Sequence, residues 1–197
     1  MTHFNQEAKN WDNEEKIQLM KVLADKTAKE LQLDKPISIM DFGCGTGLFG
    51  LEFADFVSEL VGVDTSTGML EVFDLKTRGD DRFMSKLIDL EEADMSQKFD
   101  LIISSMAFHH LTDPKSLILK FKAMISEGGQ IAIVDLDKED GSFHPDNVKM
   151  GVKHFGFSLE EISGWAEAAG LKLNHKIINE IEKNGKTYKQ FLAVFSS

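Results

Sequence analysis

The segment "MDFGCGTGLFG", residues 40–50, decides how the rest of the chain is interpreted. It begins inside the short apolar run 37–42, which predicts a buried strand, and it leads into residues 48–56, which predict a helix. A glycine-rich turn between a strand and a helix presents backbone N–H groups to a ligand at the carboxyl edge of a sheet. The glycines allow two registers, G-x-G-x-G from Gly43 and G-x-G-x-x-G from Gly45.

Asp41, just before these glycines, separates the two registers. G-x-G-x-x-G is the fingerprint of a dinucleotide-binding turn, and a carboxylate beside a pyrophosphate costs on the order of 1–4 kcal/mol in repulsion. S-adenosylmethionine has no phosphate and carries an ammonium and a sulfonium, which an aspartate attracts. Asp41 therefore favours S-adenosylmethionine, and its alternative role is to cap backbone amides of the loop. We assign Gly50 to helix packing alone.

Asp64 follows a second apolar run about 20 residues after the glycines, in "VGVDTS". A carboxylate at this place accepts hydrogen bonds from ribose hydroxyls in both kinds of cofactor site. We predict the same role here. The alternative is that Asp64 caps the helix predicted to begin at residue 66.

Strand-like and helix-like segments alternate along residues 37–135, which predicts βαβ units and a mostly parallel sheet. Two further strand-like runs flank Asn184-Gly185, a strong hairpin signal. The predicted fold is α/β, Rossmann-like and doubly wound, with a mostly parallel seven-stranded sheet that ends in an antiparallel C-terminal hairpin. The predicted strands are 37–42, 60–64, 83–89, 99–105, 130–135, 171–181 and 186–195, and the predicted core helices are 48–56, 66–76, 114–126 and 159–169.

The length of 197 residues fits one domain, which we predict to span the whole chain. Residues 1–35 are predicted as a helical N-terminal lid, broken near residues 10–13, and residues 37–135 as the cofactor-binding core. Residues 136–157 form a long polar loop, and loops of that length are usually functional or mobile. The last helix and the hairpin occupy 158–197.

Composition limits the partners and the compartment. The formal net charge of −11 disfavours a nucleic-acid substrate, because a polyanion is repelled. The chain has no apolar run of membrane-spanning length and no signal-peptide pattern at its N-terminus, and one cysteine fits a reducing cytoplasm. We expect a cytoplasmic protein with a small-molecule substrate. The sequence does not indicate an oligomeric state.

Five segments in order, "DFGCGTG", "VGVDTS", "LIDLEEAD", "FDLIISSMAFHHLTDP" and "GGQIAIVD", resemble the class I S-adenosylmethionine-dependent methyltransferases. The style is closest to the small-molecule branch that includes ubiquinone and menaquinone biosynthesis enzymes. The resemblance covers residues 37–135 and extends through the terminal hairpin, and "FNQEAKNWD" is similar to the lid helix of such enzymes. It implies S-adenosylmethionine as cofactor, S-adenosylhomocysteine as product and methyl transfer as the reaction.

The resemblance also implies individual roles around the cofactor. Asp89 would accept the adenine amino group beside the Leu90 backbone, Met69 would pack on the adenine, and Trp11 would close over the cofactor from the lid. The alternatives are that Asp89 is an N-cap, that Met69 occupies a core position and that Trp11 has an ordinary helix-packing role. Ser104 and Ser105 would reach the methionine moiety, and Cys44 is expected to be a small loop residue rather than a nucleophile. The predicted cofactor-binding set is Trp11, Asp41, Gly43, Cys44, Gly45, Gly47, Asp64, Thr65, Met69, Asp89, Leu90, Ser104 and Ser105.

The methyl acceptor is less well indicated. Methyl transfer from a sulfonium is an in-line displacement, so a general base is needed only when the acceptor must lose a proton. His110 follows the fourth predicted strand, and His144 and His154 lie in or near the long loop. We hypothesise that His110 with His144 or His154 lines the acceptor pocket and that one of them is the base. Alternatively, they are loop histidines bonded to the backbone.

Other functions remain open at this stage. "DLDKEDGSFH", residues 135–144, offers carboxylates and a histidine that could hold a divalent metal, but a solvated acidic loop is preferred and no metal site is predicted. A non-catalytic S-adenosylmethionine-binding module is one alternative. A nicotinamide-dependent oxidoreductase is another, disfavoured by Asp41 and by the hairpin. A protein or peptide acceptor also stays open, as do the acceptor's identity and the element that is methylated.

Overall fold

The computed structural model describes residues 3–183 and 185–197, without the side chains of His3 and Gln6. Over these ranges seven strands form one sheet in the order β3-β2-β1-β4-β5-β7-β6. The neighbours among β1 to β5 pair in parallel, whereas β7 is antiparallel to both β5 and β6. The strands are β1 Ile37–Phe42, β2 Val57–Asp64, β3 Phe83–Leu87, β4 Phe99–Ser105, β5 Ile125–Leu136, β6 Lys172–Lys183 and β7 Lys186–Ser196.

Helices cover both faces of this sheet, as a doubly wound fold requires. Side chains of α4 and α5 share one core cluster with alternate strand residues such as Met40, while α2 and α3 pack in a second cluster with the intervening residues such as Ile39. This alternation follows from the period of two along a strand. The helices are α1 His3–Glu7, α2 Glu14–Leu31, α3 Thr67–Lys76, α4 Pro114–Met124 and α5 Leu159–Ala169, with 3-10 helices at Ala8–Asn10, Gly50–Phe56 and Phe108–His110.

Local sequence signals account for several helix ends. Asn13, Ser66 and Ser158 are N-caps whose side chains accept backbone N–H bonds, and Ser158 forms a reciprocal capping box with Glu161. Gly170 ends α5 with a φ of 61°, in the left-handed region that favours glycine. The break predicted near residues 10–13 is confirmed, since α2 begins only at Glu14.

The predicted fold class is confirmed, and β1, β4 and α5 have the predicted bounds. The helix predicted at residues 48–56 is a 3-10 helix at Gly50–Phe56. One local prediction is wrong. The fifth strand was expected to begin after Gly128-Gly129, but β5 begins at Ile125, directly after α4. Gly128, with a φ of 76°, lies where the pairing of β4 with β5 shifts register, so it bends the strand rather than ending the helix.

The topology sets the position of the site. The strand order reverses between β1 and β4, and such a reversal opens a crevice at the carboxyl ends of the strands. The antiparallel β6 and β7 confirm the hairpin, although Asn184 of its predicted turn lies outside the described residues. In the described part of the chain, no helix is both long and apolar enough to cross a bilayer.

Candidate functional site

The glycine loop, residues 43–47, crosses the carboxyl ends of β1 and β2. The backbone N–H groups of Gly43 and Cys44 donate to the Val63 carbonyl at 2.8 and 3.1 Å, which fixes the loop to β2. Gly43, Gly45 and Gly47 all have positive φ, between 54° and 86°. No described atom lies within 4 Å of a Cβ built on Gly45, so the loop backbone faces open space there. The loop is thus shaped for a ligand that approaches its amides.

Asp41 lies beneath this loop with 1% of its surface exposed. Burial, and after it the nearby Asp64, raise the pKa of its carboxyl to about 8 against the opposing effect of the facing Gly50 amide. Within the described ranges, its Oδ2 atom has no hydrogen-bond partner. A buried carboxyl without a full set of partners is costly, and a cationic ligand would relieve that cost. Such a carboxyl suits an ammonium or sulfonium better than a pyrophosphate, and the contact of Asp41 with the cofactor stays a prediction.

Asp64 links the glycine loop to the end of β2. Its Oδ2 accepts from the Gly45 amide and its Oδ1 from the Ser66 amide, both at 2.8 Å. The cap of α3 is Ser66, whose hydroxyl accepts from the Met69 amide, so the capping alternative for Asp64 is not what the structure shows. Burial raises the pKa of Asp64 against the opposing hydrogen bonds of these amides. Each carboxylate oxygen has a second lone pair for a ribose hydroxyl, and the exposed Thr65 follows directly.

The predicted adenine-binding turn follows β3. Asp89 is exposed, and its Oδ1 accepts from the Glu91 amide at 2.9 Å, so it also caps the turn. Leu90 is buried, and the Nζ of Lys120 donates to the Leu90, Glu91 and Ala93 carbonyls at 3.0, 3.2 and 3.1 Å. Lys120 thus holds the turn from α4. The sequence analysis missed it, because a lysine on an amphipathic helix gives no local signal.

Two other predicted cofactor residues, Ser104 and Cys44, turn their side chains into the core. The Ser104 hydroxyl donates to the Phe42 carbonyl at 2.9 Å in the core, so only its backbone faces the site. Cys44 is buried beside Gly62, and burial with the nearby Asp41 holds the pKa of its thiol well above the usual value, which rules against a nucleophile. The Ser105 hydroxyl lies 3.6 Å from the Met20 sulfur, and Met69 is buried on α3.

The N-terminal segment is docked onto the cofactor loop through two polar contacts. The Asn5 side-chain oxygen accepts from the Ser66 hydroxyl and the Gly68 amide at 2.8 and 2.9 Å. Asp12 accepts from the Thr46 hydroxyl at 2.5 Å and pairs with Lys76 at 2.6 Å. Neither contact was predicted, since both join residues more than 30 positions apart. They hold this segment, called the N-terminal cover below, against the glycine loop and the start of α3, and its role as a lid stays a prediction.

Two aromatic side chains of this segment face the acceptor side. Trp11 lies between the Phe4 ring, at 5.6 Å between centroids, and the Lys16 ammonium, 3.4 Å from its own ring centroid. The Phe4 ring contacts the His110 ring at 5.3 Å. The cover therefore reaches from the glycine loop to the turn after β4.

Three histidine rings meet at the carboxyl ends of β4 and β5. His109 lies 4.1 Å from His110 and 4.9 Å from His144, and the latter two are 6.2 Å apart. Nδ1 of His109 is 2.7 Å from Oδ1 of Asp135, and both residues are almost fully buried. His109 was not among the predicted catalytic residues. The signal in the sequence was Asp135, an aspartate at the end of the apolar strand β5. This strand lies beside β4, which precedes the histidines.

The other predicted catalytic residues differ in their surroundings. Burial, with His109, His110 and Lys183 nearby, lowers the pKa of His144 to about 3, so its ring is neutral. His154 lies outside the three-ring cluster, because its Nε2 is 3.0 Å from the Leu111 carbonyl and its ring packs on Phe157. Its backbone N–H donates to the His109 carbonyl at 3.0 Å, which ties the long loop to the histidine turn. In residues 3–183 and 185–197, no group of three or more metal-ligating side chains is arranged to hold a metal.

Comparison with known proteins gives consistent relatives. A family model described as a methyltransferase domain matches residues 14–176. An uncharacterised methyltransferase of Schizosaccharomyces pombe is 30% identical over 164 residues, which are 75% of this chain and 57% of that protein. A malonyl-acyl-carrier-protein O-methyltransferase of Acetivibrio thermocellus is 31% identical over 66% of this chain and 46% of its own length. A ubiquinone biosynthesis O-methyltransferase of Bradyrhizobium is 26% identical over 60% of this chain and 47% of its own length.

The chain thus spans about half the length of these relatives. Among solved structures, phosphoethanolamine N-methyltransferase 2 of Haemonchus contortus, in complex with phosphomonomethylethanolamine and S-adenosylhomocysteine, superposes with a TM-score of 0.74. The match covers 89% of this chain and 52% of that one, at 16% identity, and so bears on the fold alone.

Proposed function

The chain belongs to the class I S-adenosylmethionine-dependent methyltransferases, with S-adenosylmethionine as its cofactor, and we propose that it methylates a small molecule held beside the three-histidine cluster. The observation that carries the proposal is the contact of Phe4 with His110. It supports an N-terminal cover that would close over the acceptor side as well as the cofactor loop. An enclosed site of this kind suits a small molecule better than a polymer.

Two carboxyl groups would hold the cationic and the ribose parts of the cofactor. Asp41 would face the ammonium and sulfonium, and Asp64 would accept the ribose hydroxyls while it keeps the Gly45 amide in place. Bound S-adenosylmethionine supplies an electrophilic methyl group on sulfur. The remaining proposed contacts are the backbone of Gly43, Cys44, Gly45, Gly47, Leu90 and Ser104, and the side chains of Trp11, Thr65, Met69, Asp89 and Ser105.

A histidine of the cluster would take the proton when the acceptor must lose one. A ring with a pKa of about 3 is a weak base, which disfavours His144, and the Nε2 of His154 already faces a carbonyl. His110 and its neighbour His109 therefore remain as bases, and His144 would serve as a neutral hydrogen-bonding group. The long loop 136–157 would form the outer wall of the acceptor side.

Calorimetry and a turnover screen test the proposal. We expect S-adenosylmethionine and S-adenosylhomocysteine to bind and NADH not to bind. We also expect the protein to release S-adenosylhomocysteine when it is incubated with a fractionated metabolite extract. Binding of NADH alone would refute the cofactor, and cofactor binding without any product across all fractions would leave a non-catalytic binding module. With an active fraction in hand, His110→Gln, His144→Gln and His154→Gln show which histidines turnover needs.

A further inference from the structure

Asp135 fixes the proton position on His109. Its two carboxylate oxygens accept from Nδ1 of His109 at 2.7 Å, from the His109 amide at 3.3 Å and from the Leu136 amide at 2.7 Å. Burial favours the protonated acid, but the nearby His109 and these hydrogen bonds outweigh it, and the pKa of Asp135 lies below its usual value. An ionised carboxylate can only accept, so Nδ1 of His109 carries a proton, and in the neutral ring the lone pair lies on Nε2.

That lone pair lies in a buried position. Across the described residues, the Nε2 atom of His109 has no hydrogen-bond partner, and the same holds for the Nδ1 atom of His144. Each buried polar atom left in this way costs roughly 1–3 kcal/mol, so two of them in rings 4.9 Å apart call for an explanation. Two ionisable side chains border the pair, since the His110 ring lies 4.1 Å from the His109 ring and Lys183 is near His144. The Phe143 ring packs on His144 at 4.9 Å.

The two atoms differ in what they offer. Nε2 of His109 is an acceptor, because Asp135 holds the proton on the other nitrogen. His144 is neutral, so its Nδ1 can carry the ring proton and donate. One acceptor beside one donor matches a group that both donates and accepts a hydrogen bond. A hydroxyl does both at neutral pH. An aliphatic amine is protonated there and cannot accept, an aromatic amine is a poor acceptor because its lone pair is delocalised into the ring, and a carbon acceptor does neither.

We propose that the methyl acceptor is a hydroxyl oxygen, which donates to Nε2 of His109 and accepts from Nδ1–H of His144. The inference rests on the methyl-transfer function proposed above and adds the chemical class of the acceptor. His109 is then the catalytic base and Asp135 the residue that positions it. As the oxygen–carbon bond forms and the sulfur–methyl bond breaks, the hydroxyl proton passes to Nε2 of His109. The products are a methyl ether and S-adenosylhomocysteine, and Asp135 stabilises the imidazolium until it loses the proton to solvent.

Nitrogen NMR tests the binding part without a known substrate. Protein labelled with ¹⁵N-histidine and saturated with S-adenosylhomocysteine is titrated with phenol and benzyl alcohol, and separately with aniline and benzylamine. We expect His109 to show the Nδ1–H tautomer and the hydroxyl probes to shift its Nε2 signal. An Nε2–H tautomer, equal shifts with the amines, or no shift with any probe would overturn the proposal, the last leaving only a resident water at the site.

Substitutions test the base and its positioning residue. Asp135→Asn keeps the shape but offers an N–H to Nδ1, so the proton moves to Nε2. Turnover with an active metabolite fraction should fall by about 10²–10⁴-fold at unchanged cofactor affinity, with the tautomer change visible by NMR. His109→Gln should lose as much. His175→Gln, at a half-buried histidine on β6 outside the three-ring cluster, is the matched control and should keep full turnover.

The outcomes distinguish a failure of the hydroxyl and base assignments from a failure of the proposed methyl-transfer function. A protein that binds S-adenosylmethionine and methylates only amines, carbons or thiols retains the proposed function and overturns the hydroxyl assignment. Full turnover of His109→Gln on a hydroxyl acceptor overturns the base assignment. Failure to bind S-adenosylmethionine at all overturns the proposed function instead.

Discussion

The carboxyl group of Asp41 occupies the space that a side chain on Gly50 would need. A Cβ atom built on Gly50 would lie 2.8 Å from Cγ of Asp41 and closer still to Oδ2. The assignment of Gly50 to helix packing alone is therefore wrong. Gly50 makes room for the buried acid, and its amide faces the same carboxyl group.

Gly50→Ala should destabilise the protein by about 1–3 kcal/mol, the usual cost of overpacking a tight site, and should abolish S-adenosylmethionine binding. Denaturant unfolding and calorimetry measure the two effects. In the double variant with Asp41→Ala the clash is gone, so stability should return while binding stays lost. Gly164→Ala is the matched control, because this site in α5 has open space and should gain roughly 1 kcal/mol. A Gly50→Ala protein as stable as the native chain contradicts the clash.

Cofactor affinity should rise with pH up to about 8. The free protein holds the Asp41 carboxyl largely protonated at pH 7, since its pKa is raised to about 8, and a cationic ligand favours the ionised form. Binding must then release nearly one proton at pH 7 and almost none above pH 9. Calorimetry in buffers of different ionisation enthalpy counts these protons, and Asp41→Asn should remove most of the release. No proton release at pH 7 in the native protein would show that Asp41 does not face the cation.

Asp12→Asn should speed the dissociation of S-adenosylmethionine by roughly 2–5-fold, because the contacts with Thr46 and Lys76 hold the cover on the glycine loop. The effect is small since the ion pair is partly exposed to water. Stopped-flow tryptophan fluorescence measures the rate, with Asp25→Asn on the exposed side of α2 as the control. Equal dissociation rates in Asp12→Asn and Asp25→Asn would show that these contacts of the cover do not retain the cofactor.

Lys120→Met should raise the KM for S-adenosylmethionine by about 5–10-fold and leave kcat within twofold. The reason is the loss of three hydrogen bonds to backbone carbonyls that shape the predicted adenine-binding turn. Steady-state kinetics with an active acceptor fraction gives both constants. Lys115→Met, at the exposed start of the same helix, controls for the loss of a positive charge. A fall in kcat with an unchanged KM would show that Lys120 does not act by shaping this turn.

Residues close in sequence were predicted best. The glycine loop, Asp41 and Asp64 fall where a strand meets a turn, and short apolar runs predicted both β1 and β4 to the residue. Ser104 shows the limit of that reasoning. Its position at the end of β4 was right, but its hydroxyl turns into the core toward Phe42, and a strand's alternation does not say which face the ligand occupies.

The sequence by itself determined the fold class, the cofactor loop and the family, because these depend on short-range periodicity and on residue types at fixed spacing. Only the tertiary structure paired His109 with Asp135, 26 residues away, and Asp12 with Thr46, 34 residues away. The first pair exists because Ser105 of β4 stands beside Val134 of β5, so the next residues of both strands meet at one edge. Burial then makes that pair matter, since a buried imidazole nitrogen with no partner among the described residues carries a free-energy cost that a ligand can relieve.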